Sequence, residues 1–367
     1  MSRIESIVSH HRPTALRQNG RGSVSNRSGR FEQVSRILFD DGWENLAEEE
    51  RRRTTVVDEP ARRIITRNSS PDIGFDRSIN PYRGCEHGCC YCYARPTHAF
   101  LGLSAGLDFE TRLFAKPDAA RLLEKELAAP SYKPRIIAMG TNTDPYQPIE
   151  RERRITRSVL EVLARSGHPV GIVTKNALVT RDIDILADMA ARGLARVHVS
   201  VTTLDRRIAR SMEPRASTPA KRLEAIRALS DAGIPTGVSV APVVPGLTDP
   251  EMETILEAAR DAGAKSAGYI VLRLPLEVRD IFVEWLTEHV PDRADKVMSL
   301  VSQMRDGNHY VSEFGSRMRG TGPVAALIAG RFALAVKRLE LNRERAALRT
   351  DLFRPPKPER KQLSLFE

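Results

Sequence analysis

The 367-residue sequence predicts an α/β fold: a partial (βα)6 barrel of parallel strands followed by a helical C-terminal extension. Two observations carry this expectation. Short β-branched runs alternate with helical patterns at roughly 25–35 residue spacing, the signature of βα units on a parallel sheet. Beyond about residue 280 the strand signals stop and only helical periodicity remains.

The elements follow in order. "DIGFDRSIN" (72–80) supplies a first strand, ahead of a loop that carries all four cysteines. "RIIAMG" (135–140), "PVGIVTK" (169–175), "ARVHVSV" (195–201), "PTGVSVAPV" (235–243) and "AGYIVLRL" (267–274) each suit a buried strand. Helical patterns at 153–167 and 182–193 stop at Gly167 and Gly193. The pattern at 218–233 opens with Thr218 as N-cap and Pro219 in its first turn; that at 249–263 repeats the arrangement with Asp249 and Pro250. Right-handed crossovers wind six such units into an incomplete barrel, with ligands at the carboxyl ends of the strands. There "GTNTDPYQPIE", "TKN", "SVTT" and "APVVPG" emerge. Further helices are expected over 279–304 and 323–349.

The expected domains are a basic, largely disordered arm over 1–60 with a short helix near 31–47, the barrel over 61–290, the helical extension over 291–350 and a flexible tail over 351–367. Lys and Arg outnumber Asp and Glu by 57 to 47, and the net charge of +10 favours a polyanionic partner such as nucleic acid. No apolar run is long enough to span a bilayer, so no membrane partner is expected. The N-terminus lacks the apolar stretch of a secretory signal, and the expected location is the cytoplasm, where thiols stay reduced.

Cys85, Cys89, Cys90 and Cys92 are the only cysteines, and in a reducing compartment they point to metal binding or catalysis. Cys85, Cys89 and Cys92 have the spacing C-x3-C-x2-C. A zinc site, completed by His87 or His98, is one reading. A four-iron cluster with one iron left free of protein ligands is the other. Cys90 is then spare, either packed as a small apolar residue or reactive.

"SINPYRGCEHGCCYCYARPTH" (78–98), followed by βα units, resembles the radical S-adenosylmethionine (SAM) superfamily, and within it the spore photoproduct lyase-like branch, often labelled DNA-repair-photolyase-like. The likeness covers about residues 70–290. It implies that Cys85, Cys89 and Cys92 ligate a [4Fe–4S] cluster and that SAM chelates the open iron. Reductive cleavage of SAM then gives a 5′-deoxyadenosyl radical. It further implies a flavodoxin- or ferredoxin-type electron donor. By position, Asn142, Thr143 and Asp144 would contact the methionyl part of SAM and Lys175 its carboxylate. Ser200 would meet the ribose or the methionyl part, and the backbone of "APVVPG" would lie along the adenosine. Tyr91 and Tyr93 form the "YCY" pairing that the branch shares, and they are candidates for hydrogen-atom return. The lyases are thought to use a cysteine donor downstream, yet no cysteine follows Cys92 here. Either Tyr93 or Cys90 takes that part, or the reaction differs.

The tail "QLSLF", Gln362, Leu363, Ser364, Leu365 and Phe366, follows a Pro- and Lys-rich stretch and resembles the pentapeptide that docks bacterial repair proteins on the DNA sliding clamp. The resulting expectation is a radical SAM enzyme acting on damaged DNA in a lyase-like repair reaction. The alternatives are the same chemistry on RNA, protein or a small molecule, and a non-enzymatic metal- or cluster-bearing module for DNA binding or redox sensing.

Overall fold

The computed structural model describes residues 20–32, 53–343 and 347–356. The short helix expected near 31–47 and the "QLSLF" segment lie outside them.

Among the described residues ten strands occur: β1 (Thr55–Asp58), β2 (Ile65–Arg67), β3 (Arg77–Ile79), β4 (Tyr82–Arg83), β5 (Arg112–Ala115), β6 (Ile137–Met139), β7 (Val170–Thr174), β8 (Ala195–Ser200), β9 (Thr236–Val243) and β10 (Ser266–Val271). Seven form one sheet in the order β10-β9-β8-β7-β6-β3-β2. From β3 to β10 all neighbours are parallel, whereas β2 joins β3 antiparallel. The six parallel strands are the six predicted. Their runs of Val, Ile and Ala are nearly continuous because helices cover the outer face and side chains fill the inner one. β1, β5 and β4 make a second, small sheet beside the barrel.

The helices Ile155–Arg165, Ile183–Ala191, Pro219–Asp231 and Met252–Asp261 return the chain between strands. Thr218 caps its helix as expected, its hydroxyl accepting from the Lys221 amide. Asp249 does not cap the next helix: it opens a 3-10 turn, and its carboxylate accepts from Gly246 N and pairs with Arg331. Two helices, Glu277–His289 and Pro291–Gln303, fill the 279–304 region. No helix among the described residues is long and apolar enough to cross a membrane.

Two expectations need correction. The helix foreseen over 323–349 spans Gly322–Arg338 only. The chain leaves it because Asn342 serves the exposed edge of β10: its side chain exchanges hydrogen bonds of 2.9 and 3.0 Å with Ala267, and its amide donates to Lys265 O. The disordered arm expected over 1–60 also contains ordered pieces. β1 pairs with β5, and residues 20–32 lie against the cysteine loop and the helix Glu277–His289. Gly22 permits this: a Cβ there would stand 1.6 Å from Gly88 O. With no side chain in the way, Gly22 N and Ser23 N donate to the Glu110 carboxylate at 3.0 and 2.8 Å.

The main core packs the sheet against its helices. A second apolar cluster sits under the cysteine loop, where Cys89, Cys90 and Tyr91 meet Met212, Leu272, Phe282 and Trp285.

Candidate active site at the cysteine loop

The cysteine loop leaves β4 at the carboxyl ends of the parallel strands. Its course is fixed by one buried side chain. Arg95 donates from Nε to Cys89 O (2.8 Å), from Nη1 to Ala105 O and Gly106 O (both 2.9 Å), and from Nη2 to Gly88 O (3.1 Å) and Glu110 Oε1 (2.5 Å). Both members of the Arg95–Glu110 pair are fully buried. A planar fork with five donors can hold a loop's carbonyls in place in this way.

A second buried pair supports the loop from the barrel side. Glu213 accepts from Arg222, from the Tyr91 hydroxyl and from Thr202 Oγ1. Arg222 also donates to Ser217 O (2.7 Å) and Ser200 O (3.1 Å). Met212 O accepts from Cys90 N, and His87 O from Arg215 N.

Cys85, Cys89 and Cys90 are buried and Cys92 is half-buried; none forms a disulfide. Burial raises every one of these thiols above its ordinary pKa. Opposing that, a backbone amide of Asp144 bonds the Cys85 sulfur, and amides of Ala94 and Arg95 bond that of Cys92. Thiolates in such a place require bound positive charge, which a metal centre supplies. Among the described residues no three His, Cys, Asp or Glu side chains stand together as a single-ion site. Thiolates that each take a different iron of a cluster do not need to converge on one point. His87 is committed elsewhere: Nδ1 lies 3.4 Å from Asp144 Oδ2 and Nε2 3.2 Å from Asn176 Nδ2. His98 Nε2 lies 3.0 Å from Arg112 O. The donor set fits a cluster held by Cys85, Cys89 and Cys92.

The remaining predicted residues divide by what they already hold. Asp144 Oδ1 accepts from Tyr146 N and Thr174 Oγ1 and its Oδ2 from Lys175 N, with His87 beside it. That leaves little capacity for a ligand's ammonium, and Asp144 ties the ends of β6 and β7 to the loop. Thr143 is buried with its hydroxyl on Tyr82 O, whereas Asn142 is half-buried, its amide donating to Asn80 Oδ1. Lys175 projects over the Tyr91 ring at 5.9 Å and donates from Nζ to Ala241 O, at the carboxyl end of β9. Ser200 is buried, and its carbonyl is bonded to Arg222. Cys90 is wholly enclosed in the apolar cluster, which favours packing over the reactive role the sequence left open.

The two tyrosines part company. Tyr91 is buried with its hydroxyl on Glu213. Tyr93 keeps 46% of its surface exposed, with its hydroxyl on Thr141 O and the Arg273 guanidinium 5.2 Å from its ring centroid. Sequence reasoning missed Arg95, Glu110, Arg222 and Glu213. Arg95 has one local signal, its place three residues beyond the last cysteine; Glu213 reaches Tyr91 across 122 residues and has none.

A cysteine loop at the carboxyl ends of six parallel strands defines a partial-barrel enzyme class. The profile of the radical SAM superfamily matches residues 79–259. An uncharacterized protein of Mycobacterium tuberculosis is 37% identical over 259 residues, covering 70% of this chain and 75% of its own. One of Methanocaldococcus jannaschii is 27% identical over 173 residues, covering 47% and 62%. Among solved structures, a tyrosine-to-phenylalanine mutant of spore photoproduct lyase shares the fold with a TM-score of 0.54, 16% identity and coverage of 77% and 79%. This chain belongs to the radical SAM superfamily, whose enzymes use a [4Fe–4S] cluster and SAM.

Proposed function

We propose that this enzyme acts on a damaged base in DNA, in a reaction of the kind spore photoproduct lyase is named for. The observation that carries the reading is the exposed Tyr93 ring at the barrel mouth, between Thr141 and the Arg273 guanidinium. An aromatic face flanked by a cation suits a planar base with a phosphate beside it. The excess of basic residues and the shared fold with spore photoproduct lyase support the same reading.

Cys85, Cys89 and Cys92 would hold the cluster, and Asn142, Lys175 and the carbonyl end of β9 would border SAM. When bound, cluster and SAM supply a hydrogen-abstracting 5′-deoxyadenosyl radical. The chain's own residues do the rest. Arg95 and Glu213 fix the loop, the apolar cluster below excludes water, and Tyr93, the more exposed of the two tyrosines, would give its phenolic hydrogen atom to a substrate-derived radical, its O–H breaking as the new C–H forms and leaving a phenoxyl radical. The terminal residues Leu365 and Phe366 would anchor the enzyme on the sliding clamp, raising its concentration at DNA. Replacing both with alanine should then abolish association with the purified clamp.

The test is 5′-deoxyadenosine release by anaerobically reconstituted, reduced protein given SAM, with and without UV-irradiated DNA. Release should depend on Cys92, disappear in Cys92→Ala and rise with irradiated DNA. Release indifferent to DNA would retain the radical enzyme and remove the DNA substrate.

A further inference from the structure

The sheet is an incomplete barrel, and its two edges are joined by side chains. β10 forms one edge, and the turn between β2 and β3 lies at the other. Residues 305–319 bridge them. Arg305 donates to Leu272 O (3.0 Å) just beyond β10 and to Ser316 O (2.9 Å). Arg319 lies 3.9 Å from the Tyr269 ring centroid. On the far side, Gly315 N and the Arg317 guanidinium both bond Asp72.

Two guanidiniums in this seam form no direct bond to a carboxylate among the described residues. Arg305 is 1% exposed, and its Nε is buried without a hydrogen-bond partner. Arg273 Nε is likewise buried and unpartnered, and Nη1 donates to the Met318 thioether, a weak acceptor. Among the described residues neither forms an ion pair. Asp72, the carboxylate whose charge the Arg273 field reaches, already accepts from Gly315 and Arg317. Buried donors left unmade disfavour the folded state and call for an acceptor that the chain does not supply. Arg273 is half-buried, and its guanidinium carbon lies 5.2 Å from the centroid of the exposed Tyr93 ring, beside the cysteine loop.

We propose that Arg273, backed by Arg305, is a receptor for one phosphate oxyanion of the substrate, seated in the barrel seam beside Tyr93. A guanidinium fork matches a phosphate with two parallel N–H···O bonds, and the second buried cation strengthens the field without competing for the same oxygens. The assignment deepens the proposed function, since it rests on substrate entering at this mouth. A phosphodiester within a strand and the phosphate of a small molecule share this chemistry.

The experiment measures binding to the reconstituted full chain, without turnover. The probes are thymidylyl-thymidine, its uncharged methylphosphonate analogue and inorganic phosphate, each titrated calorimetrically into the wild type, Arg273→Gln and Arg273→Lys. The wild type should prefer the charged dinucleotide at least tenfold over the neutral one. Arg273→Gln should lose that preference and Arg273→Lys should retain part of it, which separates loss of charge from loss of fold. Arg273-dependent binding of inorganic phosphate without a dinucleotide preference would keep the oxyanion site and assign it to a small phosphorylated molecule. Equal affinity for charged and neutral dinucleotides together with no Arg273-dependent phosphate binding overturns the proposal. Because 5′-deoxyadenosine release is not the readout, failure here leaves the DNA reading standing, and failure of DNA stimulation leaves this result standing.

Discussion

On its inner side the cysteine loop rests on Arg95–Glu110 and Arg222–Glu213, two buried pairs whose carboxylates and carbonyl partners are bonded within the protein. On its outer side Tyr93 stands beside Arg273, and the buried Nε atoms of Arg273 and Arg305 have no partner. Both sides are rich in arginine, and the contrast separates two uses of the same side chain. Where every donor meets an acceptor, the guanidinium fixes backbone. Where donors are left over, the guanidinium is available to a ligand. Burial alone does not distinguish them; the hydrogen-bond inventory does.

The inner side should break first and most severely. Arg95→Leu removes the fork and leaves Glu110 buried without its cation, so a loss of about 3–5 kcal/mol is expected. Urea denaturation would measure it, and iron content after reconstitution should fall as well. An unchanged midpoint would show that the loop is held by something other than Arg95.

Glu213 sharpens the comparison through pH. Burial would raise its carboxyl, but Arg222, Lys175 and the hydroxyls of Tyr91 and Thr202 prevail and bring it from 4.5 down to about 2. A folded value below the unfolded one means that its stabilising contribution is complete above about pH 4.5 and is lost as pH falls through about 2. Glu213→Gln should therefore be less stable than the wild type at pH 7 and show a shallower loss of stability from pH 5 to pH 3. Parallel stability curves would remove Glu213 from the acid response.

The tyrosine pair tests both sides at once. Tyr91→Phe deletes a buried hydrogen bond to a carboxylate, and a cost of about 1–3 kcal/mol is expected. Tyr93→Phe should stay within about 0.5 kcal/mol of the wild type, because its ring is exposed. Its effect should appear in turnover instead, as 5′-deoxyadenosine formed in excess of repaired product. Cys90→Ala should cost about 1 kcal/mol for the volume lost and leave iron content unchanged. Iron loss comparable to that of Cys92→Ala would make Cys90 a ligand.

The barrel was legible because five of its six parallel strands carry their own signal, a short β-branched run alternating with a helical pattern. The cysteine spacing is equally local, so the cluster loop could be read directly. The supports under it could not. Arg95 and Glu110 are ordinary charged residues until folding brings them together, and Arg222 reads as one more basic residue on a helix. Asp144 reads from the sequence as a residue of the loop that follows a strand, and only the structure shows its oxygens already occupied. The overlong helix at 323–349 failed for a related reason: periodicity continues past Arg338, yet the bonds between Asn342 and Ala267 override it.

The segment 347–356 returns to the barrel at a definite place. Arg349 N donates to Gly193 O and Arg354 N to Ser166 O, and Phe353 packs its ring against Tyr132 and His168. Those turns feed the beginnings of β7 and β8, whereas the cysteine loop lies where the parallel strands finish. The strands therefore separate the place where 347–356 returns from the cysteine loop by roughly 20 Å. Attaching the protein to a support through residue 356 would leave the cysteine loop on the side of the strands away from that attachment.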